Sequence, residues 1–331
     1  TLSGNISTDN IGADTGDVDI NGAVSLGAAV TIDTSDGNGT VDFSGTLNGA
    51  FDFDISSGSG AVAIQGVTGG AAALASLDIN NAAGSGTIEV ANIGAGAAGV
   101  TNATRIGNAT TTQLTLDGTV YNANAQTYTA TAGGQVIDLT NVAGVTFTAT
   151  ADAITFATGT VELGNGANLT VNSAGGDISL VAIKGTSVED VTLNAAAGDV
   201  TVGEIGAAAA EINVVAITGA TINLGGNINT DNDGAQAGSV GLTGAVVLTG
   251  AVTIDTDAGD GTVTLSSTLN GAQDFDISSG TGAVNIAGVI GATTALSSLD
   301  INNAGGSGTI EVNNIGAGAA GVTNATRIGN A

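Results

Sequence analysis

Short segments in which apolar and polar residues alternate recur along the whole chain. Typical examples are Val30-Thr31-Ile32, Leu77-Asp78-Ile79 and Val191-Thr192-Leu193, each followed by a cluster of Gly, Asn, Asp or Ser. Such triplets return roughly every ten residues, and alternation of period two between turn clusters predicts a β-strand with one buried face. Helical spacing of apolar residues is poor throughout. The pattern therefore predicts an all-β protein.

The same period predicts which side chains point inward. Successive side chains of a strand lie on opposite faces, so one set is buried and the other meets solvent. We expect Asp78 and Glu89 to face solvent, and their neighbours to face the core: Leu77, Ile79, Ile88 and Val90.

A long repeat organises the strands. Residues 1–109 align without a gap with residues 223–331, and 79 of these pairs are identical. Residues 86–109 and 308–331 differ only where Ala91 is replaced by Asn313. Residues 1–222 thus form one full copy, and residues 223–331 form the first half of the next. We expect the sequence to be a window on a longer tandem array, and a mature chain or part of one.

Many short, evenly spaced strands fit either a row of β-sandwiches or a β-solenoid. The solenoid is favoured because there are only six Phe and no Trp, and because no change of composition marks a linker. Proline is absent, as expected where nearly every strand N–H donates to the next coil. We predict a parallel β-helix built from tandem repeats, with residues 223–331 continuing the same solenoid. Turns of about 20–24 residues, stacked about 4.8 Å apart, would advance each copy by about 43–53 Å.

Composition excludes several functions. Three basic residues stand against 30 acidic ones, giving a net charge of −27, so the chain cannot neutralise a nucleic-acid backbone. The absence of His and Cys excludes imidazole catalysis, thiolate chemistry and zinc held by nitrogen or sulfur. No apolar run of about 18 residues is present, so no membrane-spanning helix is predicted in this stretch.

Acidic turns are the candidate metal sites. Closely spaced side-chain oxygens around glycines suit Ca²⁺, and the residues that could supply them are Asp33, Asp36 and Asn38 in the first copy and Asp255, Asp257 and Asp260 in the second. Asp9 and Asp231 lie in similar turns. The alternative is that these side chains cap turns by accepting hydrogen bonds from nearby backbone. No other cofactor is predicted.

Paired carboxylates occur at Asp52 and Asp54 and again at Asp274 and Asp276. Their spacing on one strand face lies in the range that glycosidases use. They could equally form an outward polar face, with the adjacent apolar residues Phe53 and Ile55 pointing inward. Because no basic group or aromatic platform accompanies the pairs, we expect no enzymatic activity.

Two arginines and several sequons offer further contacts. Arg105 and its copy Arg327 are expected to pair with a carboxylate on a neighbouring coil, such as Glu89 or Asp78, or to contact the next fibre. Asn-x-Ser/Thr sequons could accept glycans where the machinery exists; they begin at Asn5, Asn38, Asn102, Asn108, Asn168 and Asn324.

Several strings carry a family resemblance. Residues 22–32 (GAVSLGAAVTI), 39–50 (GTVDFSGTLNGA), 198–206 (GDVTVGEIG) and 294–301 (TALSSLDI) resemble the β-strand repeats of giant bacterial surface proteins, the filamentous-haemagglutinin-like adhesins. The resemblance implies a right-handed parallel β-helix, secretion, and an adhesive or scaffolding role outside the cell or on its surface. It supplies no catalytic residues.

We therefore expect a non-catalytic extracellular repeat protein that forms a structural filament or surface stalk. One alternative is the spacer region of a giant secreted adhesin or surface-layer protein, whose binding site lies elsewhere. A more remote alternative is a polysaccharide-active β-helix enzyme. The expected partners are further copies along a fibre or in neighbouring fibres, together with glycans or cell-surface polysaccharide.

Overall fold

The computed structural model describes residues 1–8, 14–131, 135–164, 166–207, 212–230, 236–302, 304–318 and 321–330. Over these ranges the secondary structure consists of short strands, and no helix is found that is long and apolar enough to cross a membrane. The strands are β1 (Ile6–Ser7), β2 (Val18–Ile20), β3 (Val24–Ser25), β4 (Val30–Asp33), β5 (Val41–Phe43), β6 (Leu47–Asn48), β7 (Asp52–Ser56), β8 (Val62–Ile64), β9 (Ser76–Ile79), β10 (Thr87–Val90), β11 (Thr104–Ile106), β12 (Gln113–Leu116), β13 (Val120–Asn122), β14 (Gln126–Thr129), β15 (Gln135–Leu139), β16 (Val145–Thr148), β17 (Ile154–Leu163), β18 (Leu169–Asn172), β19 (Ile178–Lys184), β20 (Val191–Asn194), β21 (Val200–Ile205), β22 (Val215–Leu224), β23 (Ile228–Asn229), β24 (Val240–Leu248), β25 (Val252–Asp255), β26 (Val263–Leu265), β27 (Leu269–Asn270), β28 (Asp274–Ser278), β29 (Val284–Ile290), β30 (Ser298–Ile301), β31 (Ile310–Ile315) and β32 (Thr326–Ile328).

The chain divides into two units, each of which is a parallel β-solenoid. Unit 1 comprises Thr1–Ala167 and Asn172–Gly176, and unit 2 comprises Asn168–Val171 and Asp177–Ala331. The described residues form about 12 turns in all, which confirms the predicted fold class. The units do not coincide with the sequence copies. The division between the units falls at residues 167–177, whereas the copies join between residues 222 and 223, inside β22 of unit 2.

In unit 1 each turn contributes to three parallel stacks. Stack A contains β2, β5, β8, β10, β12, β15 and the second half of β17. Stack B contains β3 and β6, single bridges through Thr68 and Ile93, and then β13 and β16. Stack C contains β1, β4, β7, β9, β11, β14 and the first half of β17.

Unit 2 is built in the same way. Stack D contains β20, the first part of β22, β24, β26, and the first parts of β29 and β31. Stack E contains the first part of β21, the second part of β22, the second part of β24, then β27 and the ends of β29 and β31. Stack F contains the end of β21 and then β23, β25, β28, β30 and β32.

The turns are more variable in length than the sequence pattern predicts. The turn from Tyr128 to its register partner Phe156 is a third longer than the turn from Val41 to Val62. The range predicted for the turn length is therefore too narrow. Long turns contain long connections between strands; in the turn from Ile79 to Ile106, for example, residues 80–86 join β9 to β10.

The predicted strand faces are confirmed. Leu77, Ile79, Ile88 and Val90 are at most 1% exposed, whereas Asp78 and Glu89 reach the surface. The same alternation fills the interior of both units with Val, Ile and Leu side chains that stack from one turn to the next.

Unit 1 also contains an aromatic cluster in its core. Tyr121, Tyr128, Phe147 and Phe156 are fully buried. Phe147 is central, with its ring centroid 4.9 Å from that of Tyr121, 5.3 Å from Tyr128 and 5.1 Å from Phe156. The Tyr121 hydroxyl donates to the Val90 carbonyl oxygen at 2.7 Å, so its polar atom is satisfied inside the core.

Close stacking of the turns explains part of the glycine content. Gly39, Gly60 and Gly86 form a column at one corner of unit 1. A Cβ atom on Gly60 would meet the carbonyl oxygen of Gly39, and one on Gly86 would meet that of Gly60. A larger residue in this column would therefore push adjacent coils apart.

Candidate functional site

Two stacked aspartates line a surface cleft that occurs in both units. In unit 1, Asp54 on β7 and Asp78 on β9 are register partners beside a cleft of about 280 Å³. In unit 2, Asp276 on β28 and Asp300 on β30 are register partners beside a cleft of about 210 Å³. Because the second pair is the repeat equivalent of the first, the cleft is a property of the repeat. We call the two sites the acidic clefts.

A third aspartate lies on the same outward strand face in each copy. The Ser76 hydroxyl donates to Asp52 Oδ1 at 2.6 Å, and the Ser298 hydroxyl donates to Asp274 Oδ1 at the same distance. Hydrogen bonds from serine side chains lower the pKa of Asp274. The third aspartate, Asp52 in the first copy and Asp274 in the second, is thus exposed and bonded to a serine of the next coil.

The paired carboxylates of β7 and β28 follow the predicted arrangement. Asp52 and Asp54 face outward, while Phe53 and Ile55 between and beside them are buried. The second copy has the same burial pattern. Both carboxylates of each pair therefore share the solvent-facing side of their strand, and the absence of activity stays a prediction.

Burial and neighbouring carboxylates disfavour the charged forms inside the clefts. Burial raises the pKa of Asp54, and the charge of Asp52 adds to the effect. Burial also raises the pKa of Asp78, against the opposing charge of Arg105. In unit 2, burial and the charge of Asp300 raise the pKa of Asp276. Chemically, the clefts can accept hydrogen bonds from hydroxyl groups and retain a proton more readily than isolated aspartates.

In each copy one arginine, on the coil after the acidic cleft, forms an ion pair with the second aspartate of the cleft. Arg105 Nε lies 3.4 Å from Asp78 Oδ1, and Arg327 Nη1 lies 2.8 Å from Asp300 Oδ2. The predicted pairing with a carboxylate on a neighbouring coil is confirmed, and Asp78 is the partner in the first copy. Since both arginines are half-exposed, each pair contributes less than about 1 kcal/mol to stability.

Replacing Asp54 by Asn is expected to stabilise unit 1 at pH 7. Because its pKa is raised in the folded chain, the charged form destabilises folding above that pKa. The destabilisation fades as pH falls and vanishes below the unfolded value of about 3.9, where both states are protonated. The gain should stay under about 1 kcal/mol because solvent screens a partly exposed group. Urea unfolding between pH 7 and pH 3 measures it.

Asp36→Asn is the matched control for this change. Asp36 is exposed on a turn, so its substitution should leave the unfolding midpoint at pH 7 nearly unchanged. A lower midpoint for Asp54→Asn at pH 7, or equal effects of the two substitutions, would contradict the assigned role of burial in the cleft.

The first candidate calcium turn is held by its own side chains. Asp33 Oδ1 accepts from the Ser35 hydroxyl at 2.6 Å and from the Ser35 N–H at 3.0 Å. These two bonds lower the pKa of Asp33. Asn38 takes a left-handed φ of 55°, and its Oδ1 accepts from the Ser59 N–H on the next coil at 2.8 Å. Asp36 remains exposed.

The equivalent turn in the second copy uses different donors. Asp255 Oδ1 accepts from the Asp257 N–H at 3.2 Å, and Asp257 Oδ2 accepts from the Ser278 hydroxyl at 3.1 Å. Asp260 takes a φ of 56° and accepts from the Thr281 N–H at 2.5 Å. Burial raises the pKa of Asp255, and the charge of the Asp257 carboxylate adds to the effect. At Asp33, by contrast, the bonds from Ser35 lower the pKa.

No group of three or more Asp or Glu side chains arranged to hold a metal ion is found among the described residues. The capping bonds favour the structural alternative for both turns, and calcium binding there is untested. Asp9 and Asp231 lie outside the described residues.

We expect a chelator to leave the melting temperature unchanged at fixed ionic strength. The oxygens of Asp33, Asn38 and Asp260 already accept hydrogen bonds, so the turns are held without an ion. Bound Ca²⁺ would instead stabilise the folded state by mass action. Thermal unfolding with and without EDTA distinguishes the two, and a lower melting temperature restored by added Ca²⁺ would establish the calcium sites.

A buried carboxylate organises a loop that sequence reasoning did not single out. Glu189 is 0% exposed. Its Oε2 accepts from the N–H groups of Thr186 at 2.9 Å and Ser187 at 2.8 Å, and its Oε1 accepts from their hydroxyls at 3.0 Å and 3.1 Å. The sequence signal that could have identified it is Thr186-Ser187 followed two residues later by Glu189, because polar side chains at such short spacing often bond the nearby backbone. The side chain therefore closes the loop of residues 186–189 on itself, within unit 2.

Replacing Glu189 by Ala is expected to cost about 1–3 kcal/mol, because it removes a buried acceptor of four hydrogen bonds. Glu189→Gln should cost less, since one amide oxygen still accepts. The exposed Glu204 on β21 supplies the control, and Glu204→Ala should change little. Chemical denaturation together with hydrogen exchange of residues 186–189 measures the effect. Equal costs at Glu189 and Glu204 would contradict the assignment.

Several sequon asparagines already bridge coils through their side-chain oxygens. Asn5 Oδ1 accepts from the Thr31 N–H at 2.9 Å, and Asn168 Oδ1 accepts from the Asp190 N–H at 2.8 Å. The Asn108 side chain instead donates through Nδ2 to the Gly84 carbonyl oxygen at 2.9 Å. Because an N-linked glycan is attached at Nδ2, a glycan on Asn108 would compete with this inter-coil bond, and glycosylation stays a prediction.

Comparison with known proteins adds no identification: no protein-family model, curated protein or solved structure matches the chain. The solenoid is compatible with β-helix repeat proteins. The likeness to adhesins therefore rests on the strings in the sequence.

Proposed function

We propose that the chain is a non-catalytic structural segment of an extracellular filament or surface stalk. Its role would be to provide length and stiffness, with the parallel coils as the repeating element. Each coil in such a stack is stabilised by contacts with its nearest neighbours, so additional copies lengthen the stack while repeating the same core contacts.

The observation that carries this proposal is the direction of the side-chain hydrogen bonds. Many polar side chains bond the backbone of the next coil. Asn48 Oδ1 accepts from the Ala71 and Ala72 N–H groups at 2.8 Å and 3.2 Å. In unit 2, Asp177 Oδ1 accepts from the Asp199 N–H at 2.9 Å, and Asp199 Oδ1 accepts from the Thr221 N–H at 3.0 Å.

These side-chain bonds act in parallel with the backbone ladders and the apolar stacks. Each bond adds about 0.5–1.5 kcal/mol to the contact between two coils, and the bonds recur along each unit. Separation of adjacent coils therefore requires breaking backbone, side-chain and apolar contacts together. A surface stalk needs this resistance between neighbours more than it needs a deep pocket.

The surface charge supports the same role. Acidic side chains project from the outward faces of both copies, and the net charge is −27. Like charges discourage β-rich surfaces from aggregating through their edges and faces. Added salt should let neighbouring fibres approach more closely.

The second candidate is the spacer region of a giant secreted adhesin or surface-layer protein. It is favoured by the resemblance of residues 22–32 and 39–50 to adhesin repeats. In that role the same coils hold a binding domain away from the cell, and glycans or surface polysaccharide are ligands of the other domain.

Electron microscopy of cells that make the protein tests the proposal. Antibodies against the repeat should label thin surface fibres on intact cells, and isolated fibres should give a reflection near about 4.8 Å along their axis. Label confined to fibre tips or bases would favour a spacer or anchor. Label that requires permeabilised cells would contradict an extracellular role, and beads at domain spacing would contradict the filament.

A further inference from the structure

Asn-Gly pairs are positions where a protein chain can modify itself. Because glycine has no side chain, its backbone nitrogen can approach the side chain of the preceding asparagine and displace the amide group as ammonia. The chain contains five such pairs, which begin at Asn21, Asn38, Asn48, Asn165 and Asn270. Asn165 lies outside the described residues. The other four share one dipeptide, so differences between them must come largely from the fold.

The next coil holds the Asn48-Gly49 pair at both reacting groups. Asn48 Oδ1 accepts from the N–H groups of Ala71 at 2.8 Å and Ala72 at 3.2 Å. The Gly49 N–H donates to the Ala72 carbonyl oxygen at 3.0 Å. The side chain that would be attacked and the nitrogen that would attack it are therefore both fixed.

The equivalent pair in the second copy is held in the same way. Asn270 Oδ1 accepts from the N–H groups of Thr293 at 2.9 Å and Thr294 at 3.3 Å. The Gly271 N–H donates to the Thr294 carbonyl oxygen at 3.2 Å. This restraint is thus a property of the repeat.

The Asn38-Gly39 pair is also restrained, although its asparagine is exposed. Asn38 Oδ1 accepts from the Ser59 N–H at 2.8 Å. Gly39 is buried, and its N–H donates to the Thr34 carbonyl oxygen at 3.1 Å. Exposure of the asparagine alone therefore does not free the pair.

The Asn21-Gly22 pair has neither restraint. Both residues are exposed, and they follow the end of β2. Asn21 Oδ1 accepts from the exposed Ser44 hydroxyl at 3.1 Å. Within the described ranges, no hydrogen bond from the Gly22 N–H is found, and a Cβ atom added to Gly22 would meet no atom within 4 Å. The Gly22 nitrogen can therefore move toward the Asn21 side chain without breaking a backbone bond.

We propose that Asn21 is a site of spontaneous deamidation in the folded chain. The Gly22 nitrogen loses its proton and attacks Asn21 Cγ. A Cγ–N bond forms, the Cγ–Nδ2 bond breaks, and ammonia leaves, which gives a five-membered cyclic imide. Water then opens the imide at one of its two carbonyl carbons. One product is aspartate at position 21, and the other is isoaspartate, in which the backbone runs through the former side chain.

Either product changes this corner of unit 1. Both add a negative charge two residues after Asp19, and isoaspartate also lengthens the connection between β2 and β3 by one methylene group. The second copy has Thr243 at the equivalent position, and threonine cannot form the imide. The two copies therefore become chemically different as the protein ages. This modification needs only water, so it is independent of the proposed structural role.

Incubating the full chain in mildly alkaline ¹⁸O-labelled water tests the proposal. Peptide mass spectrometry should show that Asn21 converts at least about tenfold faster than Asn48, because reaction at Asn48 first requires breaking its bonds to the next coil. The label should enter the new carboxyl group at position 21. An isoaspartyl methyltransferase should modify the same peptide. Asn48 is the matched reference, since an aliphatic residue precedes the Asn-Gly pair at both sites.

The same incubation in urea separates the effect of the fold from that of the dipeptide. In the unfolded chain the rates at Asn21 and Asn48 should converge. Asn21→Thr, which introduces the residue of the second copy, should abolish the modification of this peptide and leave the unfolding midpoint unchanged. Equal rates in the folded chain would overturn the proposal, as would a difference that persists in urea. So would an unmodified Asn21 after an incubation that converts the unfolded chain.

Discussion

Replacing Ile79 by Asp should lower the free energy of unfolding of unit 1 by about 3–5 kcal/mol, the cost of an uncompensated buried charge. Ile79 is fully buried, and its register partners Ile55 and Ile106 lie on the coils on either side. A carboxylate there meets apolar side chains and can gain no partner. Urea unfolding followed by circular dichroism measures the loss.

The preceding residue provides a matched control. Asp78→Ser removes the ion pair with Arg105, which is stabilising. It also removes a carboxylate whose pKa is raised by burial and whose charged form is therefore destabilising. These two effects oppose each other, so the net change should stay under about 1 kcal/mol. Ile301→Asp and Asp300→Ser repeat the comparison in unit 2. Similar tolerance at the two adjacent positions would show that the strand faces are wrongly assigned.

The pairs Ile79/Asp78 and Ile301/Asp300 also show why the fold could be predicted. Alternation in a strand is a local property, and a triplet such as Leu77-Asp78-Ile79 contains the information that decides its buried face. The absence of proline further indicated that the backbone N–H groups of the strands donate hydrogen bonds to neighbouring coils. Turn length is less local, since it depends on connections such as residues 80–86, and the predicted range was too narrow.

The acidic clefts could not be predicted from sequence in the same way. Asp54 and Asp78 lie a full turn of the chain apart, and only the register of β7 and β9 brings them together. Sequence reasoning paired Asp52 with Asp54 along one strand, but it could not show that the stacked coils bury Asp54 and Asp78, and this burial is the main cause of their raised pKa values. The Arg105 pair was predictable because so few cations are available to so many carboxylates.

The aromatic cluster escaped prediction for a related reason. The sequence contains only two Tyr and six Phe, which correctly indicates a core made mostly of aliphatic residues. It does not indicate that four of these eight aromatic residues meet. Tyr121, Tyr128, Phe147 and Phe156 lie on successive coils, so their contacts depend on the stacking order.

Replacing Phe147 by Ala should lower the free energy of unfolding of unit 1 by about 3–5 kcal/mol. Phe147 stacks nearly parallel to Tyr121, at an interplanar angle of 16°, and packs edge-on against Tyr128 and Phe156. Truncation removes these contacts and leaves a cavity that the backbone ladders of β13 and β16 prevent from closing. Urea unfolding gives the energy, and near-ultraviolet circular dichroism reports the two tyrosines, which are the only ones in the chain.

The neighbouring residue again supplies the control. Thr146 points outward on the same strand, so Thr146→Ala should alter the unfolding energy by less than about 0.5 kcal/mol and leave the tyrosine signal intact. Phe147→Leu should lie between, because much of the apolar volume is kept. A tyrosine signal that survives Phe147→Ala, with no loss of stability, would show that the cluster is loosely packed. A loss of signal without a loss of stability would instead show that the rings rearrange into the space that Phe147 leaves.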